Sequence, residues 1–333
     1  MANPARAGKR NSPTVSCPPD SPDRARADGP HSGGQIGRGY TAGMELGSVG
    51  IWGGGPWRDD NRSAEAAEVA AELEELGFGA LWVSGGQRPG LGPRFRRLLD
   101  GTTGLPVASG ILNVWLTDPA EIARAVAELE AAHPGRFLLG VGVSHAPLVE
   151  RTGQSYQRPW SRMVGWLDGL DRQEEGVPPD RRVLAALGPR MLALAAQRSA
   201  GAHPYFVPVE YTAKARQLLG DGPLLAPEQG VVLERDPETA RRIARAHTES
   251  YLAMPNYSGN LRSLGYSDED LAGAGSDRLV DAVVAWGDDA AVARRVREHL
   301  DAGADHVCVQ VLGAGEEAFP LEGYRQLAAA LFG

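Results

Sequence analysis

Eight short apolar runs alternate with stretches of helical spacing from Leu46 almost to the end of the chain. The runs at 46–52, 78–83, 105–112, 136–143, 182–187, 203–207, 226–233 and 305–312 read as β-strands. Ala66, Val69, Leu73 and Leu76 share one helical face, and Gly77 supplies a stop. Asp118-Pro119-Ala120-Glu121 is a capping-box start, with proline at the first helical position, for a helix reaching His133. Asp236-Pro237-Glu238 opens another, to about Leu252, and further helices are expected at 289–302 and 321–331. Eight such units in residues 44–333 fit an α/β fold, a (β/α)8 TIM barrel. The alternative is a doubly wound open sheet. It lacks the G-x-G-x-x-G turn after the first strand and the acid about twenty residues on. Between Met254 and Val283 the alternation breaks, which predicts an insertion before the last helix-strand unit. Asn256, Tyr257, Asn260 and Tyr266 there either shape a pocket or belong to a structural excursion over the barrel.

Residues 1–43 are of another kind. They hold six prolines and no hydrophobic period, so a disordered extension is expected, with the barrel domain over 44–333. The segment has no apolar core of a secretory signal. Met44 opens the first strand region, so a translational start at Met44 is the other reading of the extension. The apolar fraction, 42%, suffices for a full core, and no apolar run reaches the ~18 residues of a membrane span. Two cysteines, Cys17 and Cys308, make no disulfide framework and point to a reducing cytoplasm. A formal charge of −8 speaks against nucleic acid as a partner. Only Lys9 and Lys214 are lysines, so the arginine content reads as coding bias rather than function.

Chemistry is expected where Arg136–Val143 runs into Ser144-His145, at a strand's carboxyl edge, where alternating β/α folds bind ligands. The other six histidines fall at helix ends, at strand starts, mid-helix or in the extension. An imidazole titrating near pH ~6.5 exchanges protons at cellular pH. The plainer role for His145 is a hydrogen bond to a neighbouring turn. Gly140 and Gly142 either admit a flat ligand or fit a tight barrel interior. Leu187-Gly188-Pro189-Arg190-Met191 is a strand end, a turn and a helix start. The N–H groups of Gly188, Arg190 and Met191 could hold a phosphate there, although ordinary βα turns look alike. Asn113 ends the third strand with an amide suited to a heterocycle's carbonyl and N–H. Trp52, Trp82 and Trp115 wall an aromatic cofactor or fill the core. No H-E-x-x-H, C-x-x-C or carboxylate-histidine cluster suggests a metal, and no G-x-S-x-G suggests a serine hydrolase.

The segments ALWVSGG, VASGILNVW, RFLLGVGVSHA, LAALGPRMLALAAQRSAGAHPYFVP and AGADHVCVQVL, in that order, resemble the luciferase-like oxidoreductases, and more narrowly their coenzyme F420-dependent branch. The resemblance runs from about Leu46 to Leu331. It implies a deazaflavin in the barrel mouth and a non-prolyl cis peptide at about Gly110-Ile111 that supports the ring, with Asn113 beside it. It also implies a phosphate loop at Leu187 to Met191 and an acid position after the fourth strand, filled here by His145. The implied cofactor set is Ser84, Gly110, Ile111, Asn113, Gly142, Leu187, Gly188, Arg190 and Met191. Several members carry Asp-His after the second strand, where this chain has Ser84-Gly85-Gly86. That argues against a sugar-phosphate dehydrogenase and leaves His145, with Ser144, for proton transfer. The expected activity is hydride transfer between F420 and a small organic molecule. The alternatives are an FMN-dependent monooxygenase fed by a separate reductase, and a cofactor-binding barrel without turnover. The resemblance also implies a homodimer.

Overall fold

The computed structural model describes residues 40–41, 44–85, 90–313 and 318–333. The expected N-terminal extension lies outside the described residues, apart from the two-residue strand β1 (Tyr40–Thr41). This pairs antiparallel with β2 (Met44–Glu45). Then follow β3 (Val49–Gly53), α1 (Ser63–Glu75), β4 (Leu81–Val83), α2 (Pro93–Asp100), β5 (Val107–Ser109), β6 (Leu112–Asn113), α3 (Pro119–Ala132) and β7 (Phe137–Gly142). Next come α4 (Ala146–Glu150), α5 (Pro159–Asp171), β8 (Arg182–Leu184), α6 (Pro189–Arg198), β9 (Gly201–Ala202), α7 (Val209–Leu219), β10 (Leu224–Leu225) and β11 (Glu228–Val232). The chain closes with α8 (Pro237–Leu252), α9 (Pro255–Ser263), α10 (Asp277–Val283), β12 (Val284–Trp286), α11 (Asp289–Asp301), β13 (Val307–Val311) and α12 (Leu321–Phe332).

Apart from the β1–β2 pair, the strands form one curled parallel sheet in the order β10-β9-β8-β7-β5-β4-β3-β13-β11-β12, with β6 on β7. Side chains alternate across it, as the period of two in a strand requires. Ile51, Leu81, Val83, Val107, Leu139 and Val309 point outward and pack with the helices. Trp52, Trp82, Ala108, Leu138, Val183 and Cys308 form a separate cluster on the concave face. Trp52, Trp82, Ala108 and Leu138 lie side by side across four strands. Asp118 caps α3 by accepting from the N–H groups of Ala120 and Glu121, and Asp236 caps α8 by accepting from Thr239.

Several expected strands are shorter or divided. The run at 46–52 becomes a strand only at Val49, after Gly47 with φ 64°. The runs at 78–83 and 182–187 shrink to β4 and β8. The expected strand at 203–207 does not form. Extended pairing covers only Gly201–Ala202, because Pro204 and Pro208 lack ladder donors and Phe206 takes φ 56°. The run at 226–233 is one strand broken at Pro227. Leu224–Leu225 pairs with β9, and Glu228–Val232 pairs with β13. Where the alternation breaks, residues 254–283 hold α9 and α10. They lead into β12, an unforeseen strand that pairs with β11.

Four titratable groups within this frame, His203, His299, His306 and Glu228, are buried neutral. Trp82 stacks on His203 at 4.3 Å, and its Nε1–H donates to His306 Nε2 at 3.1 Å. His306 Nδ1 donates to the Gly47 carbonyl, and His203 Nδ1 to that of Ala226. His299 bridges Thr212 and Gln229. Burial lowers His203 and His306 to about 4 and His299 to about 3. Burial pushes the Glu228 carboxyl up to about 8. The two effects have opposite signs. The histidines' contribution is complete above their unfolded value near ~6.5 and is lost as pH falls toward their folded values. That of Glu228 is complete below ~4.5 and is lost as pH rises through its folded value. Equilibrium urea unfolding is therefore expected to show greatest stability near pH ~6.5. Below that, three histidines, each worth up to roughly 1.4 kcal/mol per pH unit, outweigh one glutamate. A stability that rises steadily from pH 6.5 to 4.5 contradicts this assignment.

Candidate functional site

The ladder between β5 and β7 stops at Ala108–Leu138 and resumes as β6 on β7 at Leu112–Val141. One strand thus carries an extra residue, a bulge. Ser109 spans the gap: its Oγ accepts from Gly140 N at 2.8 Å and donates to Gly140 O at 2.9 Å. The chain between, Gly110-Ile111, joins through a cis peptide, at the place the resemblance implied. A Cβ at Gly140 would lie 1.9 Å from the Ser109 carbonyl oxygen, so the bulge fits only against glycine there.

This shelf lines a cavity of about 810 Å³ at the carboxyl edge of the sheet. Ser84, Gly110, Ile111, Asn113, Ser144, His145, Leu187, Gly188, Arg190 and Met191 all line it. Gly142 does not. It lies behind the wall, where a Cβ would meet Ile111 Cδ1 at 2.7 Å and Ala185 Cβ at 3.0 Å. Asn113 is committed in part: its Oδ1 accepts from Trp115 N at 3.0 Å, and its buried Nδ2 has no partner. It can donate to a ligand but not read a carbonyl and N–H pair. At the start of α6, Met191 N donates to Gly188 O, so the free backbone donors there are those of Gly188 and Arg190. The Arg190 guanidinium rests 4.8 Å over the Trp160 ring.

Ser144 has φ 56°, which turns the chain sharply after β7, and Tyr156 OH donates to its carbonyl at 3.2 Å. The turn brings the His145 ring against Tyr257, at 4.7 Å. His145 Nδ1 is sealed without a partner, which leaves Nε2 to meet a bound molecule. Burial lowers the imidazole to about 4, so at neutral pH it is uncharged.

Sequence reasoning missed other wall residues. His203 had been placed at a strand start, but the early end of β9 sets it on the cavity wall beside Gly110. Tyr205, Tyr251, Arg58 and Lys214 also line the cavity, as do Asn256, Tyr257 and Asn260 of the segment after α8. Tyr266 points elsewhere and donates to Glu210. Of the three tryptophans, Trp52 lines the cavity, Trp82 is core, and Trp115 donates to the Val143 carbonyl. The rarity of lysine was the one available signal for Lys214. The described wall carries Arg58, Arg190 and Lys214 but no carboxylate, in a chain with 42 acidic against 34 basic residues. Such a wall suits an anionic ligand with a flat apolar part.

Gly142→Ala tests the shelf's support. The added methyl must displace Ile111 or Ala185, and destabilisation by about 1–3 kcal/mol is expected in urea unfolding. A neutral result would mean that Ile111 is loosely held.

Among the described residues, no helix is long and apolar enough to cross a membrane, and no cluster of His, Cys, Asp and Glu is arranged for a metal. No curated protein sequence matches the chain. Solved structures do. An F420-dependent secondary alcohol dehydrogenase in complex with an F420-acetone adduct aligns with TM-score 0.63 at 14% identity, covering 85% of this chain and 98% of that one. The coenzyme F420-dependent tetrahydromethanopterin reductase from Methanopyrus kandleri gives 0.61 at 15% identity, with 85% and 98% coverage. The oxygenating constituent of 3,6-diketocamphane monooxygenase from Pseudomonas putida, in complex with FMN, gives 0.61 at 12% identity, with 84% and 95% coverage. These likenesses establish the fold. Residues 44–180 match the family model of the luciferase-like monooxygenases.

Proposed function

We propose that the protein is a coenzyme F420-dependent oxidoreductase that moves a hydride between the deazaflavin and a small organic substrate. The observation that carries this reading is the cavity itself: a side-chain-free shelf at Gly110 faces an apolar space whose charged residues, among those described, are all cationic. Two of the structural neighbours are F420-dependent enzymes, in keeping with a deazaflavin. We also read the sheet as a closed (β/α)8 barrel, because the broken strand 224–232 bonds to β9 at one end and β13 at the other.

The residues present fit such a cofactor. Gly110-Ile111 offers a flat surface, and Asn113 Nδ2 is a buried donor without a partner. The amides of Gly188 and Arg190, with the Arg190 and Lys214 side chains, would hold its phosphate. When bound, deazaflavin supplies a hydride carrier. The protein supplies position and a proton. In the oxidative direction His145 Nε2, on a neutral imidazole, would take the substrate's proton to become imidazolium, and in the reverse direction that imidazolium would return it; an anion developing beside the ring raises its proton affinity. Tyr156 and the left-handed Ser144 hold that ring over the cavity.

The first test is cofactor titration by fluorescence. F420 is expected to bind and FMN to bind more weakly. Binding of FMN alone would favour the luciferase-like monooxygenase reading, which the FMN-containing neighbour supports. Bound F420 that no substrate panel oxidises would favour a binding barrel without turnover.

The second test is His145→Gln, which removes proton transfer while keeping a polar side chain. Turnover should fall by about 10²–10⁴-fold. Cofactor affinity should stay within about threefold. With the His145 ring lowered to about 4, the wild-type kcat/KM profile should show no inflection from it between pH ~5 and ~8. Full activity in the variant removes His145 from the chemistry.

A further inference from the structure

The cavity has two walls of different chemistry. One is the sheet side, with the shelf and the start of α6. The other is a run of rings: Trp52 to Tyr205 at 4.9 Å, Tyr205 to Tyr251 at 5.1 Å, Tyr251 to Tyr257 at 5.3 Å, and Tyr257 to His145 at 4.7 Å. All five residues line the cavity. They come from distant parts of the chain: the end of β3, the loop after β9, α8, α9 and the turn after β7.

The hydroxyls of this wall are mostly spent. Tyr205 OH donates to Gln310 Oε1 at 2.7 Å, so the Tyr251 hydroxyl, 3.0 Å away, donates to the Tyr205 oxygen. Neither has a proton left for a ligand, and each offers ring carbon instead. Besides Trp52 Nε1, which is buried without a partner at the shelf end of the wall, two polar atoms stand out. His145 Nε2 and the Tyr257 hydroxyl have no hydrogen-bond partner among the described residues. Among the described residues no carboxylate lines the cavity to hold an amine, and Arg58 and Lys214 disfavour any cation.

We infer that this wall binds the substrate, and that the substrate is a neutral aromatic molecule with a hydroxyl or carbonyl oxygen directed at His145. The inference rests on the cofactor occupying the sheet side. Ring centroids 4.7–5.3 Å apart are already in the range of favourable aromatic pairing, so a flat ring continues the series. An alkyl chain would gain only from area removed from water. The cavity, about 810 Å³, is large enough for a second flat molecule beside the first.

The test uses the cofactor-free full chain, so it does not depend on turnover. Calorimetric titration compares 2-naphthol with decahydro-2-naphthol. The two share a skeleton and a hydroxyl, and burial of apolar area alone favours the saturated one. The aromatic ligand is expected to bind at least about tenfold more tightly. Tyr257→Leu and Tyr251→Leu should each cut that preference below about threefold, and Tyr257→Phe should keep it. F420 affinity should be unchanged in all three. Equal affinities in the wild type, or a preference that survives both leucine variants, overturn the inference. An intact aromatic preference in a protein that fails to bind F420 overturns the cofactor reading instead, and leaves the aromatic wall standing.

Discussion

The two hydrogen bonds between Ser109 Oγ and the backbone of Gly140 hold the site in place. A parallel ladder interrupted in a buried sheet would leave an amide and a carbonyl unpaired, which is expensive in an apolar interior. Here one hydroxyl satisfies both. The chain can then leave the sheet for two residues, expose Gly110-Ile111 as a shelf, and rejoin the ladder at Leu112. Gly140 and Gly142 are the counterpart: any side chain at either would strike what Ser109 and Ile111 occupy.

Charge is organised on the same plan. The acidic residues of this acidic chain are kept off the described cavity wall, and the cations are at its rim. Inside the fold His203, His299, His306 and Glu228 are neutralised by burial, whereas the buried Arg182 of β8 is paired with Asp171. His203, His299 and His306 each sit in a hydrogen-bond arrangement that suits one neutral tautomer. Glu228 is held with only the Phe206 amide on one oxygen and nothing on the other. A bound anion therefore meets fixed positive charge at the rim and little competing field from within.

Much of this was legible in the sequence, and the limits are physical. Strand and helix periods are local, so β7, α3 and α8 lie close to where patterning put them. The capping aspartates did the same for helix starts. The turn at Ser144-His145 and the start of α6 are also local, each a few residues at a strand end, whereas the shelf at Gly110-Ile111 was implied only by the family resemblance. What failed depends on backbone conformations that apolarity does not report. HPYFV looks like a strand, but two flanking prolines and the left-handed Phe206 turn it into a loop, and His203 changes ends with it. The commitment of Asn113 Oδ1 to Trp115 and of Met191 N to Gly188 could not be read from residue types. Tyr205, Tyr251 and Tyr257 come together only through tertiary packing, because no spacing rule links a loop, a helix and the helix after it.

The segment from α8 to β12 has its own packed cluster, built on Phe206, Ala244, Leu261, Leu279 and Val280, separate from the clusters that hold the sheet. Tyr257 belongs to it, whereas the shelf side is anchored among the strands. The two faces of the cavity thus rest on different foundations. Substitutions in that segment can reshape what a ligand's outer face meets while the bulge, the Ser144 turn and the α6 start stay where they are. A cavity divided in this way can change the chemistry of one face without rebuilding the other, and selection experiments confined to residues 237–286 are the economical place to look for such change.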